Sequence, residues 1–146
     1  MADNSKVIEA LKSVLADTYT LYLKTQYYHW NVQGPNFYSY HSMFESQYNE
    51  LAEVVDTVAE EIRALGAKAP GSFKEFLQAA NVSDDHVDGT ANEMIQDLVK
   101  NHKVLVNSLT DLKKTASVCG SRAEDLADER VIAHEKIIWM LNSSLE

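Results

Sequence analysis

The chain has 146 residues, 45% of them hydrophobic and 24% charged, and this length and balance fit one globular domain. Acidic residues outnumber basic ones by 22 to 13, and the net charge of −9 disfavours nucleic acid as a partner and favours cations. The single cysteine excludes a disulfide framework and a cysteine-based zinc site. No apolar run reaches the ~18 residues of a membrane span and no secretory signal opens the chain, so we expect a cytoplasmic protein.

Helical spacing of apolar residues runs through nearly the whole chain, with glycine and proline between the periodic segments. Capping-box patterns begin three segments, at Ser72, Thr90 and Ser121, each with glutamate three positions later. We predict long helices over about residues 6–29, 37–65, 91–118 and 122–142, and a short helix over about 73–80. The sequence thus predicts an all-α fold with residues 1–146 as a single domain. Its architecture is a four-helix bundle with a short extra helix between the second and third long helices.

The histidines are the first candidates for chemistry, because no Ser-His-Asp order, glycine-rich phosphate loop or Cys-x-x-Cys motif is present. Di-iron four-helix bundles carry Glu-x-x-His pairs, and no histidine of this chain has glutamate three positions before it. This absence disfavours a metal centre inside the bundle of a single chain. The five histidines are His29, His41, His86, His102 and His134. We interpret the last two as structural.

Two carboxylates lie one helical turn apart on the second predicted helix, Asp56 and Glu60, so both can reach one point. On a helical wheel with Phe44 at zero, the two carboxylates fall at roughly 120° and roughly 160°, away from the apolar residues of the helix. The simpler explanation of such positions is a charged helix face that contacts solvent. His41 lies fifteen to nineteen positions earlier on that helix, which is roughly 22–28 Å. Because ligands lie about 2 Å from a metal ion, one copy of the helix cannot supply all three.

Two copies of the second helix can supply them. If the copies pack antiparallel about a two-fold axis near residues 49–50, His41 of one chain faces Asp56 and Glu60 of the other. His29 ends the first helix a short turn before His41 and can join it. Two imidazoles and two carboxylates then meet twice per dimer, a mixed ligand set that suits ferrous iron, although zinc or manganese also binds such sites.

The run from His29 to Gly66, HWNVQGPNFYSYHSMFESQYNELAEVVDTVAEEIRALG, resembles the signature of the Dps family of mini-ferritins. The shared pattern is His-Trp, then glycine, phenylalanine and histidine, then tyrosine, then Asp-x-Val-Ala-Glu and a closing Leu-Gly. The segments KEFL (74–77) and HEKIIWML (134–141) are similar to that family as well. The resemblance implies a ferritin-like subunit that assembles from two-fold dimers into a hollow dodecamer, with a ferroxidase centre between chains.

Carried over by motif position, the resemblance implies His29 and His41 of one chain and Asp56 and Glu60 of the other as the catalytic, iron-binding residues. The implied activity is oxidation of ferrous iron, with hydrogen peroxide as the oxidant. The resemblance further implies that ferric mineral collects in the cage and that this removal of iron protects the cell from oxidative damage.

Residues around the implied centre have two interpretations each. Glu45, one turn after His41, either pairs with that histidine or supports the site from its edge. Trp30 forms an aromatic group with Tyr27 and Tyr28, which serves either as packing or as an electron carrier beside an oxidant.

Acidic residues cluster at the start of the last predicted helix, where carboxylates suit the helix dipole. The resemblance implies that they line three-fold pores through which iron enters. These candidates are Glu124, Asp125, Asp128 and Glu129. Two positions depart from the family pattern: Gly120 stands where many members have aspartate, and Glu61 replaces the usual arginine and adds negative charge beside Glu60.

The alternative function within the family is direct binding and condensation of DNA, which several relatives achieve through lysine-rich tails. The segments MADNS and LNSSLE at the two ends of this sequence contain no lysine, and the net charge is −9. We therefore expect DNA binding to be weak or absent. A helical assembly without metal chemistry is the third interpretation, and it leaves the four ligand-type residues unexplained.

Overall fold

Five helices make up the part of the chain that the computed structural model describes, residues 3–146, and no strand occurs there. They are α1 (Ser5–Asn31), α2 (Phe37–Ala64), α3 (Phe73–Ala79), α4 (Ala91–Cys119) and α5 (Ala123–Ser143). The all-α prediction is confirmed, and these bounds lie within two residues of those expected from the sequence. None of the five helices is long and apolar enough to cross a membrane.

The four long helices pack as a bundle in which α1 lies against α2 and α4, while α4 lies against α5. The short α3 packs on α1. Helices α2 and α5 run antiparallel: Glu61 near the end of α2 pairs with Arg122 before α5, whereas Tyr40 near the start of α2 bonds to the carbonyl of Ser144 after α5. The short connection between Asn31 and Phe37 keeps the start of α2 close to the end of α1.

Apolar side chains at helical spacing on the long helices fill the core between them. Burial of one large aliphatic or aromatic side chain contributes roughly 1.5–3 kcal/mol, so these stripes supply most of the force that holds the helices together. Fully buried examples are Leu11, Leu15, Leu21, Phe44, Leu51, Ile62, Ile95, Leu98, Leu105, Leu109 and Leu112.

The predicted helix caps are present at Thr90 but not at Ser121. The Thr90 hydroxyl accepts the N–H of Glu93 at 3.2 Å, and the Glu93 carboxylate accepts the N–H of Thr90 at 3.3 Å. This reciprocal pair satisfies donors that the first turn of α4 leaves unpaired. At the start of α5 the Ser121 hydroxyl accepts instead from the N–H of Ala123, so the predicted capping box does not form there.

A buried carboxylate, Asp17 of α1, secures the chain as it leaves α3. Its oxygens accept the backbone N–H groups of Asn81 and Val82 at 2.5 and 2.8 Å and the hydroxyl of Ser108 at 2.6 Å. Buried charge is tolerated only where such bonds replace water. The three bonds therefore tie α1, α4 and the connection between α3 and α4 into one unit.

Candidate metal centre

His29, in the last turn of α1, and His41, near the start of α2, lie side by side. Their rings stack with centroids 3.7 Å apart and planes 16° apart. The Nδ1 atom of each ring lies 2.7 Å from the backbone carbonyl oxygen of the other histidine. Because a carbonyl only accepts, both Nδ1 atoms carry the proton and both Nε2 atoms keep a free lone pair. The hydrogen bond at Nδ1 fixes the orientation of each imidazole and leaves its Nε2 able to bind a metal ion.

The loop between α1 and α2 creates this pairing. Val32 leaves α1 in an extended conformation, and Gly34 adopts a φ of +124°, a value that residues with a side chain rarely take. Pro35 and the start of α2 at Phe37 follow directly. The chain therefore reverses in five residues, and histidines twelve positions apart in sequence face each other.

Glu45, one turn beyond His41 on α2, brings a carboxylate to the same place. One oxygen of Glu45 and one nitrogen of each histidine all lie within 4.8 Å of one another, an arrangement that could hold a metal ion. Among residues 3–146 no other three histidine, cysteine or acidic side chains lie this close. His29 is buried, His41 is half-buried and Glu45 is exposed, so the cluster opens to solvent on one side.

Asp56 and Glu60, the other two predicted ligands, are exposed on α2 and do not join this cluster within the chain. They lie fifteen and nineteen residues beyond His41 on a continuous helix, which corresponds to roughly 22–28 Å. No side chain within the described range 3–146 forms an ion pair or hydrogen bond with either carboxylate. Both remain available to a group outside the chain.

The neighbouring Glu61 behaves differently from the expectation that it adds charge beside Glu60. Its carboxylate accepts two hydrogen bonds from Arg122, at 3.2 Å from Nε and 3.0 Å from Nη2. The same bonds raise the pKa of the Arg122 guanidinium. The charge of Glu61 is thus balanced inside the chain, where it joins the end of α2 to the start of α5.

The three aromatic residues predicted to group beside the histidines have different surroundings in the structure. Trp30 is exposed, Tyr27 packs against His86 with ring centroids 3.9 Å apart and planes tilted by 34°, and Tyr28 is buried. Burial, followed by the hydrogen bond from its hydroxyl to Asp97, raises the pKa of Tyr28. These two tyrosines therefore hold the connection between α3 and α4 against α1.

Tyr48, the tyrosine of the motif, is an aromatic neighbour of the centre to which the sequence analysis assigned no role there. Its ring meets the ring of His29 edge-on, with centroids 5.2 Å apart. The available signal was its spacing, since Tyr48 lies seven positions after His41 and three after Glu45, on one face of α2.

The four acidic residues proposed for an iron pore lie in the first two turns of α5, and one of them is already paired. The Asp128 carboxylate lies 2.7 Å from Nζ of Lys113 on α4 and raises the pKa of that lysine. Glu124 is half-buried, whereas Asp125 and Glu129 are exposed. Asp125 and Glu129 are thus the carboxylates with most freedom to meet a cation.

A second histidine pair, His102 and His134, lies in the bundle core. Their Nδ1 atoms are 3.0 Å apart, and Nη2 of Arg130 lies 3.0 Å from Nε2 of His134. Because arginine only donates, His134 carries its proton on Nδ1 and donates to His102. Burial, followed by the charge of Arg130, lowers the pKa of His102 to about 3, and Glu50 balances Arg130. These rings are neutral structural groups.

A family model described as the ferritin-like domain matches residues 8–146. The chain is similar over its whole length to a Dps protein from Bacillus brevis, with a TM-score of 0.94, 30% identity and 100% of each chain covered. A Dps protein from Vibrio cholerae O1, described as a member of a broad superfamily of ferritin-like diiron-carboxylate proteins, has a TM-score of 0.93 and 31% identity, covering 98% of this chain and 91% of that one. Fold and comparison together define a ferritin-like protein.

Similarity to a third protein identifies the family within the ferritin-like class. DNA protection during starvation protein 2 of Bacillus anthracis is 31% identical, over 97% of this chain and 98% of that protein. Within the ferritin-like class the chain belongs to the Dps family, as the motif between His29 and Gly66 predicts. The predicted ferritin-like four-helix bundle with a short extra helix is confirmed.

Proposed function

We propose that this protein oxidises ferrous iron at a centre shared by two chains and stores the ferric product inside a hollow dodecamer. Hydrogen peroxide is the proposed oxidant, and the cytoplasm is the proposed location. The observation that carries the proposal is the reciprocal bonding of His29 and His41, which leaves a free lone pair on both Nε2 atoms, in a cluster of ligand-type side chains that includes Glu45. The diiron-carboxylate superfamily of the Vibrio cholerae relative supports iron as the metal.

Asp56 and Glu60 of a second chain complete the proposed centre. Both are exposed, unpaired within the described residues and too far along α2 to reach their own histidines. A two-fold axis that pairs two α2 helices antiparallel brings them to the partner's histidine pair. Imidazole and carboxylate ligands suit ferrous iron, and the negative carboxylates stabilise the ferric product more than the ferrous substrate.

An apolar surface beside the histidines supports this dimer. Leu23, Trp30, Phe73 and Leu77 are 46–75% exposed and line one cleft of about 330 Å³ between α1 and α3. A contiguous exposed apolar patch of this kind marks an interface. Trp30 follows His29 directly, so a second copy that covers the patch also reaches the metal centre, and a two-fold axis lets each chain cover the other.

The proposed reaction removes both reactants of hydroxyl-radical formation together. Two ferrous ions give one electron each, and hydrogen peroxide takes both electrons and two protons to become two water molecules. The exposed carboxylates Asp125 and Glu129 near the start of α5 supply negative charge for the entry of ferrous ions into the cage. Oxidised iron then collects away from the cell's other molecules.

Removal of the two carboxylates tests the centre. The double variant Asp56→Ala plus Glu60→Ala is expected to lose most of the initial rate of ferrous oxidation by peroxide, because each iron loses its anionic ligands. The matched control, Glu9→Ala plus Asp111→Ala, removes the same charge from exposed positions on α1 and α4 and is expected to keep the rate. A wild-type rate in the first variant contradicts the assignment.

Mixing of two inactive variants tests whether the centre is shared. One variant carries His29→Ala plus His41→Ala, and the other carries Asp56→Ala plus Glu60→Ala. After co-refolding at equal amounts, half of the dimers are mixed and each has one intact centre of two, so about a quarter of the wild-type rate should return. A centre built within one chain predicts no recovery at all.

A further inference from the structure

Five polar side chains interrupt the apolar core near the middle of the bundle, and we call them the core polar cluster. Its members are Gln47 and Glu50 of α2, His102 of α4, and Arg130 and His134 of α5. Glu50 is half-buried, and the other four are at most 7% exposed. Burial removes water from polar atoms, so the cluster is stable only if other hydrogen-bond partners replace that water.

The hydrogen bonds within the cluster run in one direction. Arg130 donates from Nη1 and Nη2 to the Glu50 carboxylate, and its Nη2 also lies 3.0 Å from Nε2 of His134. Nε2 of His134 therefore accepts, and Nδ1–H of the same ring donates to Nδ1 of His102 at 3.0 Å. Burial lowers the pKa of His102 to about 3, so this ring is neutral and carries one proton. Since Nδ1 of His102 accepts, that proton is on Nε2, which is a donor.

The donor at the end of these bonds has no acceptor within the chain. Nε2 of His102 and Oε1 of Gln47 are both buried, and neither has a hydrogen-bond partner among residues 3–146. Nε of Arg130 is a third atom of this kind. Native proteins rarely leave buried polar atoms unpaired, because such an atom loses its bonds to water and gains none in return. A molecule outside the chain is therefore the expected partner.

Gln47 and His102 lie at about the same level of the bundle. Glu50 binds Arg130 across antiparallel helices, so Gln47, three positions before Glu50, is about level with residue 133 of α5. The next residue on α5 is His134, which is bonded to His102. Helices α2 and α4 both lie against α1, so they face each other across the diagonal of the bundle. The two unpaired atoms thus belong to opposite sides of the core at one level.

We propose that a water molecule is buried between α2 and α4, where it accepts the Nε2–H of His102 and donates a hydrogen bond to Oε1 of Gln47. Buried waters of this kind bond to polar groups that the chain leaves unsatisfied. The water closes a ring of hydrogen bonds that runs from Glu50 of α2 through α5 and α4 and back to α2. The ring fixes α4 and α5 relative to α2, the helix that carries His41. It does not depend on the proposed iron chemistry.

The chemistry of the two atoms selects water over an ion. The carbonyl oxygen of Gln47 repels an anion, and the Nε2–H of His102 repels a cation. A metal ion needs a free nitrogen lone pair, but Nδ1 of His102 already accepts a bond and Nε2 is protonated. The charge of Arg130 is balanced by Glu50, so the cluster has no excess charge to attract an ion. Water both accepts and donates, which is what this pair of atoms requires.

A crystal structure of the assembled protein, at a resolution that shows ordered water, tests the site. We expect one density peak at about 2.7–3.2 Å from both Nε2 of His102 and Oε1 of Gln47. Gln47→Leu has a similar volume but no acceptor, so the peak should be lost. The matched control is Gln96→Leu, the same change at an exposed position of α4, which should keep the peak. A bromide soak should give no anomalous signal at this place.

Solid-state NMR with isotope-labelled histidine tests the wild type without a variant in the core polar cluster. We expect the Nε2 resonance of His102 to be that of a protonated nitrogen, with rapid polarisation transfer from water to its proton. His102→Gln identifies the resonance by its disappearance. A bare Nε2 overturns the donor, and a protonated Nε2 that receives no polarisation from water overturns the water.

The crystallographic outcomes are equally decisive. Absence of density, an anomalous bromide peak, or a direct hydrogen bond between Gln47 and His102 each overturns the proposal. Persistence of the peak in Gln47→Leu overturns the assigned acceptor. None of these measurements involves iron, so a failure of the proposed ferrous oxidation leaves the water site intact, and loss of the water site leaves the proposed oxidation untouched.

Discussion

Two histidine pairs in this chain use their ring nitrogens in opposite ways. The Nδ1–H groups of His29 and His41 donate to each other's backbone carbonyl oxygen, so both Nε2 atoms remain free acceptors. In the core, His102 and His134 use Nδ1 to bond each other, and Arg130 occupies the remaining acceptor on His134. Histidine is therefore available as a ligand in the proposed metal centre and is a neutral polar group in the core, because its hydrogen-bond partners differ at the two places.

The core pair predicts a stability that falls in acid. The pKa of His102 is about 3 in the folded chain and near 6.5 when unfolded, so below pH 6.5 the unfolded chain binds a proton that the folded chain does not. At 1.36 kcal/mol per pH unit, His102 lowers the free energy of unfolding by about 2 kcal/mol when the pH falls from 6.5 to 5. Urea unfolding at fixed protein concentration between pH 7 and pH 5 measures it. In the variant His102→Gln the free energy of unfolding should depend less steeply on pH. An unchanged pH dependence would contradict a lowered pKa of His102.

The Asp17 carboxylate predicts a large effect of a single substitution far from the metal centre. Asp17→Ala removes the acceptor for two backbone N–H groups and for the Ser108 hydroxyl, and it leaves the N–H of the buried Val82 without a partner. We expect a loss of roughly 3 kcal/mol in the free energy of unfolding, since each unsatisfied group costs about 1–3 kcal/mol. Denaturant titration measures it, with Asp111→Ala as the exposed control. A loss no larger than that of the control would show that the connection after α3 needs no such anchor.

At the scale of elements, α2 performs two tasks on two faces. Phe44, Leu51 and Val58 are buried on the face toward the bundle. Asp56 and Glu60 are exposed on another face of the same helix. The spacing of apolar residues predicts the first face from sequence, because the period of an α-helix is fixed. The same spacing only shows that the second face is polar, and a polar face is by itself compatible with simple solvation.

The cap of α4 predicts a measurable stability difference between two threonines. Thr90→Ala breaks the reciprocal bonds with Glu93 and should lower the free energy of unfolding by about 1 kcal/mol. Thr115→Ala, within the same helix, should change it by less than about 0.5 kcal/mol, because the Thr115 hydroxyl bonds only to the carbonyl of Asp111 in its own helix. Thermal unfolding of the two variants provides the comparison, and equal effects would mean that the cap contributes nothing specific.

At the scale of the whole molecule, the apolar cleft between α1 and α3 predicts how chains assemble. Leu77→Asp places a charge on a 63% exposed apolar position of α3, where the proposed second copy packs. Charge buried without a partner is strongly unfavourable, so we expect the variant to elute as smaller species and to oxidise iron slowly. Light scattering after size exclusion measures the mass. Lys74→Asp, exposed on α3 outside that cleft, is the control, and an intact assembly in Leu77→Asp would contradict the dimer.

Net charge predicts the behaviour toward DNA. Each chain carries a formal charge of −9, which repels the phosphate backbone over distances of about a Debye length. We expect no gel shift of duplex DNA at low salt without added divalent metal. Strong retention under those conditions would require a positively charged surface that the composition of this chain does not suggest.

The sequence alone determined the helices, because apolar period, glycine position and cap residues act locally. It also pointed to His29, His41, Asp56 and Glu60, since these residues stand in a specific motif. Only the tertiary structure decided which groups meet. The reversal at Gly34 brings Tyr48 and Glu45 to the histidine pair, and contacts between helices pair Glu61 with Arg122 and Asp128 with Lys113. These contacts depend on how helices distant in sequence pack, which local patterns do not encode.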